Sequence, residues 1–190
     1  MEIVFEDGYI CVVNKPYGVD SEEAASGHGF FAVHRLDKTT KGLIVFAKTK
    51  EAAASLSAQI TDGSFSKRYE AVAEGVFDEK SGRMDDLLFH DRYKNKTYVV
   101  DRERAGAKKA SLEYVVKAEK DGRSYLEIKL LTGRTHQIRA QLASRRHPLV
   151  NDRRYGAPTS GDIALASVSL TFSHPKTGEK MDFSLENVFF

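Results

Sequence analysis

Residues Gly42 to Thr49 read GLIVFAKT, an almost unbroken apolar run of strand length, and this run constrains the fold more than any other stretch. A strand with apolar side chains on both faces must be covered on both, so it is expected at the centre of a sheet. Ile3 to Phe5 and Tyr9 to Asn14 also read as strands, with Asp7-Gly8 marking a tight turn between them. Lys15-Pro16 ends the second, and a Gly-, Ser- and Ala-rich segment to about Gly29 reads as irregular. Lys50 to Ile60 is expected to be a helix, with Leu56 and Ile60 four apart and Gly63 as its stop. Lys67 to Val76 alternates like a half-buried strand. Asp78 to Gly106 is polar and ragged, and predicts short strands and mobile loops. Ser111 to Lys117 and Ser124 to Leu131 read as strands joined at Asp121-Gly122. Thr135 to Arg146 reads as a short helix with Ile138 and Leu142 on its apolar face. Ala164 to Phe172 and Met181 to Leu185 read as a closing hairpin around Pro175 to Gly178. Strands dominate and the helices do not alternate with them, so the class is α+β.

No apolar run approaches the roughly 18 residues of a spanning helix, so no membrane span is expected. MEIVFEDGYI lacks the basic head and apolar stretch of a secretory signal, and the single cysteine, Cys11, has no internal partner. Both features point to a reducing, cytoplasmic setting. The 29 Lys+Arg and 27 Asp+Glu leave a net charge of only +2, but they are segregated. Arg134, Arg139, Arg145, Arg146, Arg153 and Arg154 stand in a stretch whose one acid is Asp152. A second basic stretch, His34 to Lys50, surrounds Asp37. Such segregation suits a basic face presented to a polyanion, although a solvated surface clustered only in one dimension reads the same way.

Three segments carry candidate chemistry. His34-Arg35-Leu36-Asp37 leads directly into the apolar strand, so its acid sits on a loop fixed by a rigid scaffold. Basic neighbours favour the ionised carboxylate that a nucleophile or base needs, while an ordinary turn-forming aspartate is the commoner reading of the segment alone. In Leu131-Thr132-Gly133-Arg134-Thr135-His136-Gln137-Ile138-Arg139, Thr135 is a reasonable cap. Arg134 stands at the strand-to-helix corner, where its planar fork suits a carboxylate or phosphate, or simply faces solvent. His136 reads as a hydrogen-bonded structural histidine. Tyr69, beside Lys67 and Arg68 on a strand, is equally a base-stacking ring or a core tyrosine. The histidines lack metal-ligand spacing, and no GxxxxGK[ST] or GxGxxG motif is present, so neither a metal nor a nucleotide cofactor is expected.

The combination HRLDKTTKGLIVFAKT, KRYEAVAEG and LLTGRTHQIRAQLASRRHPLVNDRRYG resembles the RluA-type RNA pseudouridine synthases. IVFEDGYICVVNKPYGV and LTFSHPKTGEKMDF resemble that family's first and last segments, so the resemblance runs along essentially the whole chain. It implies a mixed, largely antiparallel sheet with flanking helices, in two lobes around an RNA-binding cleft. It also implies isomerisation of uridine to pseudouridine in structured transfer or ribosomal RNA, without any cofactor. Asp37 then matches the catalytic carboxylate, Tyr69 the active-site tyrosine that stacks on uracil, and Arg134 the arginine that orients the carboxylate. Arg35 matches the residue that displaces the target base from its stack, and Ile138 an apolar position near that base. Arg139 is expected to contact RNA.

The chain departs from the family pattern at Lys41-Gly42, where Ser-Gly is common, and at Ala166-Ser167, where a histidine-containing pair is common. Residues 1–190 are expected to form the catalytic domain without the N-terminal S4-type RNA-binding module of many relatives. A monomer is expected, because no large apolar surface stripe is evident. Two rivals remain at this level. One is a non-catalytic RNA-binding protein on the same fold, and the other is a single-carboxylate glycosidase or nucleosidase acting on small substrates.

Overall fold

The computed structural model describes residues 1–186, 188 and 189. Its elements in chain order begin with β1 (Glu2–Glu6), β2 (Ile10–Lys15), helix α1 (Ser21–Gly27), β3 (Phe31–Ala32), β4 (Lys41–Ala47), helix α2 (Lys50–Asp62) and β5 (Ser66–Glu74). They continue with β6 (Ser81–Asp91), β7 (Lys96–Val100), β8 (Ala107–Lys120), β9 (Arg123–Leu130) and helix α3 (Gln137–Ser144). A single 3-10 turn (Arg153–Tyr155), β10 (Leu165–Ser173) and β11 (Lys180–Ser184) complete the fold. The elements divide into two compact units, Met1–Tyr69 with Ala166–Val188, and Glu70–Leu165 with Phe189. The class is α+β with mostly antiparallel pairing, as the sequence indicates.

In the first unit β4 runs between β2, antiparallel from Ile10↔Ala47 to Lys15↔Gly42, and β10, parallel at Ala166↔Lys41 and Ser167↔Gly42. Leu43, Ile44, Val45 and Phe46 are all buried, which is why this segment carries so little polarity. Leu43, Val45 and Ala47 form one core with Ile10, Val12, Ala52, Leu56, Phe65, Leu170 and Phe172. The strand ends at Ala47, because Thr49 turns out of it to cap α2, its Oγ1 accepting from Ala52 N at 3.1 Å. Gly63 closes α2 in the left-handed conformation. Wholly buried Leu56 anchors the helix to the sheet, a burial that stabilises by about 1.5–3 kcal/mol.

The irregular segment expected up to Gly29 instead contains α1. Asp20 Oδ1 accepts from Glu22 N and Glu23 N at 2.9 and 3.1 Å, so one N-cap and two first-turn acids nucleate a helix that has almost no apolar face.

In the second unit the strands follow the order β5-β9-β8-β6-β7. Asp121 and Gly122 both take positive φ, 54° and 72°, the mirror-image turn that the Asp-Gly pair predicts between β8 and β9. The middle of the chain corrects the sequence reading. Rather than short strands and loops, β6 is an 11-residue strand paired with β8 from Ser81↔Val115 to Phe89↔Ala107, and with β7 from Leu87↔Val100 to Asp91↔Lys96. Only Met84 and Leu88 of β6 are fully buried, so two-sided pairing rather than burial holds it. α3 is shorter than expected, and Thr135 is not its cap. His136 holds that position at φ 51° without a side-chain cap bond. Its Nδ1 instead meets the Tyr155 hydroxyl at 3.0 Å. That hydroxyl also accepts from Thr97 N at 2.8 Å, so the histidine is a buried structural one.

Candidate active site

The loop that carries Asp37 is fastened from both sides. Ser21, at the start of α1, accepts through Oγ from Leu36 N at 3.1 Å and donates to Leu36 O at 3.0 Å. One buried hydroxyl therefore pins the peptide units on either side of the residue preceding Asp37. Thr40 N donates to Asp37 O at 2.9 Å, and Gly18 N to Lys38 O at 2.7 Å, which close the loop onto itself and onto the segment after β2. The partly buried His34 accepts from Val45 N through Nε2 at 3.3 Å and packs on Phe65. Burial, with the Lys67 charge second, holds its pKa down to about 3, so it stays a neutral acceptor. At the far end, Gly42 (φ 109°) lies so close to the Ser167 backbone that no Cβ fits there. A side chain at position 42 would push β4 off β10. Lys41 beside it lies over the Tyr17 ring, 5.5 Å from its centre.

Asp37 itself is half-buried, and two unusual side chains share its surroundings. Tyr69, 5% exposed, has its hydroxyl pushed well above the usual phenol range, first by burial and then by the Asp37 charge. The Ser167 hydroxyl acts in the opposite direction on Tyr69, although no hydrogen bond of ordinary geometry closes on Ser167 Oγ. Tyr69 is thus a neutral phenol, close enough to Asp37 to feel its charge.

Lys15 is the second, at 0% exposure. Its Nζ donates to Pro16 O and Val19 O at 3.0 and 2.9 Å. Burial lowers its pKa to about 8, with the charges of Asp37 and then Asp20 partly restoring the cation. Between pH 8 and its ordinary value the unfolded chain keeps this proton while the folded chain releases it, so this group makes stability rise with pH there. Denaturant titrations of wild type and Lys15→Met should therefore converge as pH climbs above 8, the wild type gaining on the variant. Parallel curves from pH 7 to about 10 would show that Lys15 does not titrate there.

Arg134, Ile138 and Arg139 belong to the second unit. Arg134 is exposed at the corner between β9 and α3, where its Nε donates to Lys109 O at 3.0 Å. The corner is fixed by Gln137, whose Oε1 accepts from Arg134 N at 3.0 Å and Thr132 Oγ1 at 2.8 Å while its Nε2 donates to Ser111 O at 3.0 Å. Ile138 is buried on the apolar face of α3.

The expectation for Arg139 needs correcting. It is 3% exposed, and its Nε and Nη2 grip Asp152 Oδ2 and Oδ1 at 2.7 and 2.8 Å over the Tyr155 ring. A guanidinium in that buried fork is committed to a carboxylate of its own unit rather than offered to a phosphate. Arg35, in contrast, is exposed, with a 3.4 Å contact to Glu22.

Ser21, Lys15 and Gln137 were given no site role from sequence, and Ser167 was noted only as a departure from the family pattern. Lys15, inside IVFEDGYICVVNKPYGV, and Gln137, inside TGRTHQIR, both lie in segments that carried a signal. Among the described residues, no group of three or more His, Cys, Asp or Glu is placed to hold a metal ion, and no helix is long and apolar enough to cross a membrane.

The family described as RNA pseudouridylate synthase matches residues 9–144. Ribosomal large subunit pseudouridine synthase D of Zymomonas mobilis is 34% identical over 220 residues, covering 98% of this chain and 69% of that protein. The synthase D of Neisseria meningitidis serogroup A is also 34% identical, and the chain spans 57% of its length. A dual-specificity RNA pseudouridine synthase of Haemophilus influenzae is 31% identical, with 100% of this chain and 94% of that protein aligned. The solved structure of human RNA pseudouridylate synthase domain containing 1 shares the fold, with a TM-score of 0.85 at 24% identity over 100% of this chain and 84% of that one. With that family model covering residues 9–144 and a relative 34% identical along nearly the whole of it, the chain belongs to the RNA pseudouridylate synthase family.

Proposed function

We propose that this chain isomerises uridine to pseudouridine in structured transfer or ribosomal RNA, as a cytoplasmic monomer. Asp37 serves as the catalytic carboxylate, Tyr69 and Arg134 as its functional partners, Arg35 as the base-displacing residue and Ile138 as apolar packing near the base. The observation that carries this reading is a half-buried carboxylate on a doubly fastened loop, within electrostatic reach of a buried tyrosine held neutral. The reaction breaks the N1–C1′ bond, turns the uracil, joins C5 to C1′ and removes the C5 proton. Phosphate binding alone requires no such carboxylate, and the basic stretches suit RNA better than a free nucleoside, which has no phosphate to neutralise. Extruding the uridine from its stack costs a few kcal/mol, and an exposed arginine such as Arg35 can fill the space it leaves.

Because Tyr69 stays protonated, it enters the reaction as a flat surface and a hydrogen-bond donor rather than as a ready phenolate. Tyr69→Phe is therefore expected to keep RNA affinity within about twofold while single-turnover isomerisation falls by roughly tenfold or more. A wild-type single-turnover rate would remove the hydroxyl from the mechanism. The reading as a whole is tested by mapping pseudouridine in total RNA from cells with and without the gene. A site that disappears and returns with the wild-type gene, but not with Asp37→Asn, is the expected result. Unchanged sites throughout fully sampled RNA would favour the non-catalytic binding protein.

A further inference from the structure

The hairpin joining β6 to β7 turns through Arg92-Tyr93-Lys94-Asn95 into Lys96. Tyr93 is fully exposed, the most exposed large apolar side chain among the described residues. It stands between two cations, Arg92 and Lys94, which outnumber the one neighbouring acid, Asp91, whose Oδ1 accepts from Lys94 N at 3.0 Å and holds the turn. Asn95 takes φ 45°, which completes the reversal. Arg154, on the 3-10 turn, donates through Nη1 to Lys94 O and Asn95 O at 3.1 and 2.8 Å, bracing the tip from outside the hairpin.

Farther down, Lys96 lies over the rings of Tyr98 and Tyr155, and Arg104 lies 3.8 Å from the centre of the Phe89 ring. The hairpin rings Tyr98 and Phe89 thus lie against cations, while Tyr93 is the most exposed ring among the described residues. Scattered single apolar side chains are ordinary on protein surfaces. A bare ring on a braced turn, flanked by unpaired-sign charge, combines the two things a nucleic acid strand offers contacts for, a base face and a phosphate on either side.

We propose that Tyr93 is a stacking platform for an unpaired base of the RNA substrate, with Arg92 and Lys94 holding the adjoining phosphates. This rests on the RNA-directed reading above and adds a binding contact to it. Sequence tolerance follows, since every base has a face to stack, so the hairpin selects for an unstacked nucleotide rather than for a particular letter.

The test uses the full chain and unmodified transfer and ribosomal RNA transcripts as probes. Tyr93→Ala is expected to weaken RNA binding roughly tenfold, Tyr93→Phe and Tyr93→Trp to restore it, and the salt dependence of Tyr93→Ala to match wild type. Arg92→Ala and Lys94→Ala should each instead reduce the slope of log affinity against log salt by about one. Tm of all variants should stay at the wild-type value, because Tyr93 packs on nothing that unfolding would release. Ultraviolet cross-linking of wild type to the same RNA should place an adduct within residues 92–96. Affinity of Tyr93→Ala within twofold of wild type, or no adduct in that segment, overturns the platform while wild-type isomerisation leaves the functional reading standing. If wild type neither binds nor isomerises either transcript, the functional reading fails first and the platform with it. Cross-links of the hairpin to a copurifying protein but not to RNA would also overturn it.

Discussion

Asp37→Asn is expected to reduce uridine isomerisation by roughly a thousandfold or more, with RNA affinity changed little. The amide has the shape of the carboxylate but can neither attack nor accept a proton. The loop itself should stay in place, because the Ser21 hydroxyl, the Leu36 peptide groups and the Gly42 approach to Ser167 hold it independently of that substitution. A secondary effect is expected at Lys15, which loses the larger of the two charges that support its buried cation and should therefore release its proton below pH 8. Single-turnover assays on a transcript identified by the mapping experiment, paired with binding and melting curves, check each part. A folded variant with wild-type turnover would remove Asp37 from the chemistry.

The second large effect concerns stability. Arg139→Leu leaves Asp152, 1% exposed at its side chain, as a buried charge without its bidentate partner. Breaking such a pair costs about 3–5 kcal/mol, which for a chain of this size lowers Tm by roughly 6–20 °C. Removing both charges in Arg139→Leu with Asp152→Leu should recover much of that loss, since neither partner is then stranded. The salt slope of RNA binding should be unchanged in both the single and the double variant of this pair. If Arg139→Leu melted like wild type and its salt slope fell by about one, the arginine would be an RNA contact after all.

This arginine also illustrates what a sequence conceals. Within the stretch from Arg134 to Arg154 every cation looks alike, and the lone acid looks like an interruption. Folding selects one of the six arginines and inserts it, with that acid, into the interior. Charge clustering reports the surface in bulk but not which member leaves it. The β4 strand and α2 were legible because their signals are local: an apolar run too long for one face, an apolar pair four residues apart and a glycine stop. β6 was not, because Ser81, Gly82, Asp85 and Asp86 break its alternation, and its stability comes from partners that lie far along the chain. α1 announced itself only through Asp20 and the two glutamates after it, which a Gly- and Ser-rich context obscured. At the candidate site, Asp37, Tyr69 and Arg134 were reached through motifs. Ser21 carries no motif and Lys15 gave no hint of its role within its family-like segment, and their importance emerges only when a hydroxyl and an ammonium are seen to be sealed inside.

The fastening of the Asp37 loop has a thermodynamic consequence for turnover. Between the peptide held at Leu36 and the one held at Gly42 only five residues remain, so in the proposed reaction the carboxylate has little conformational search to complete when substrate arrives. The disorder that must be lost on the way to the transition state then resides in the nucleotide, which has to leave its helix and turn over in place. Heating should consequently accelerate this enzyme mainly by loosening its substrate.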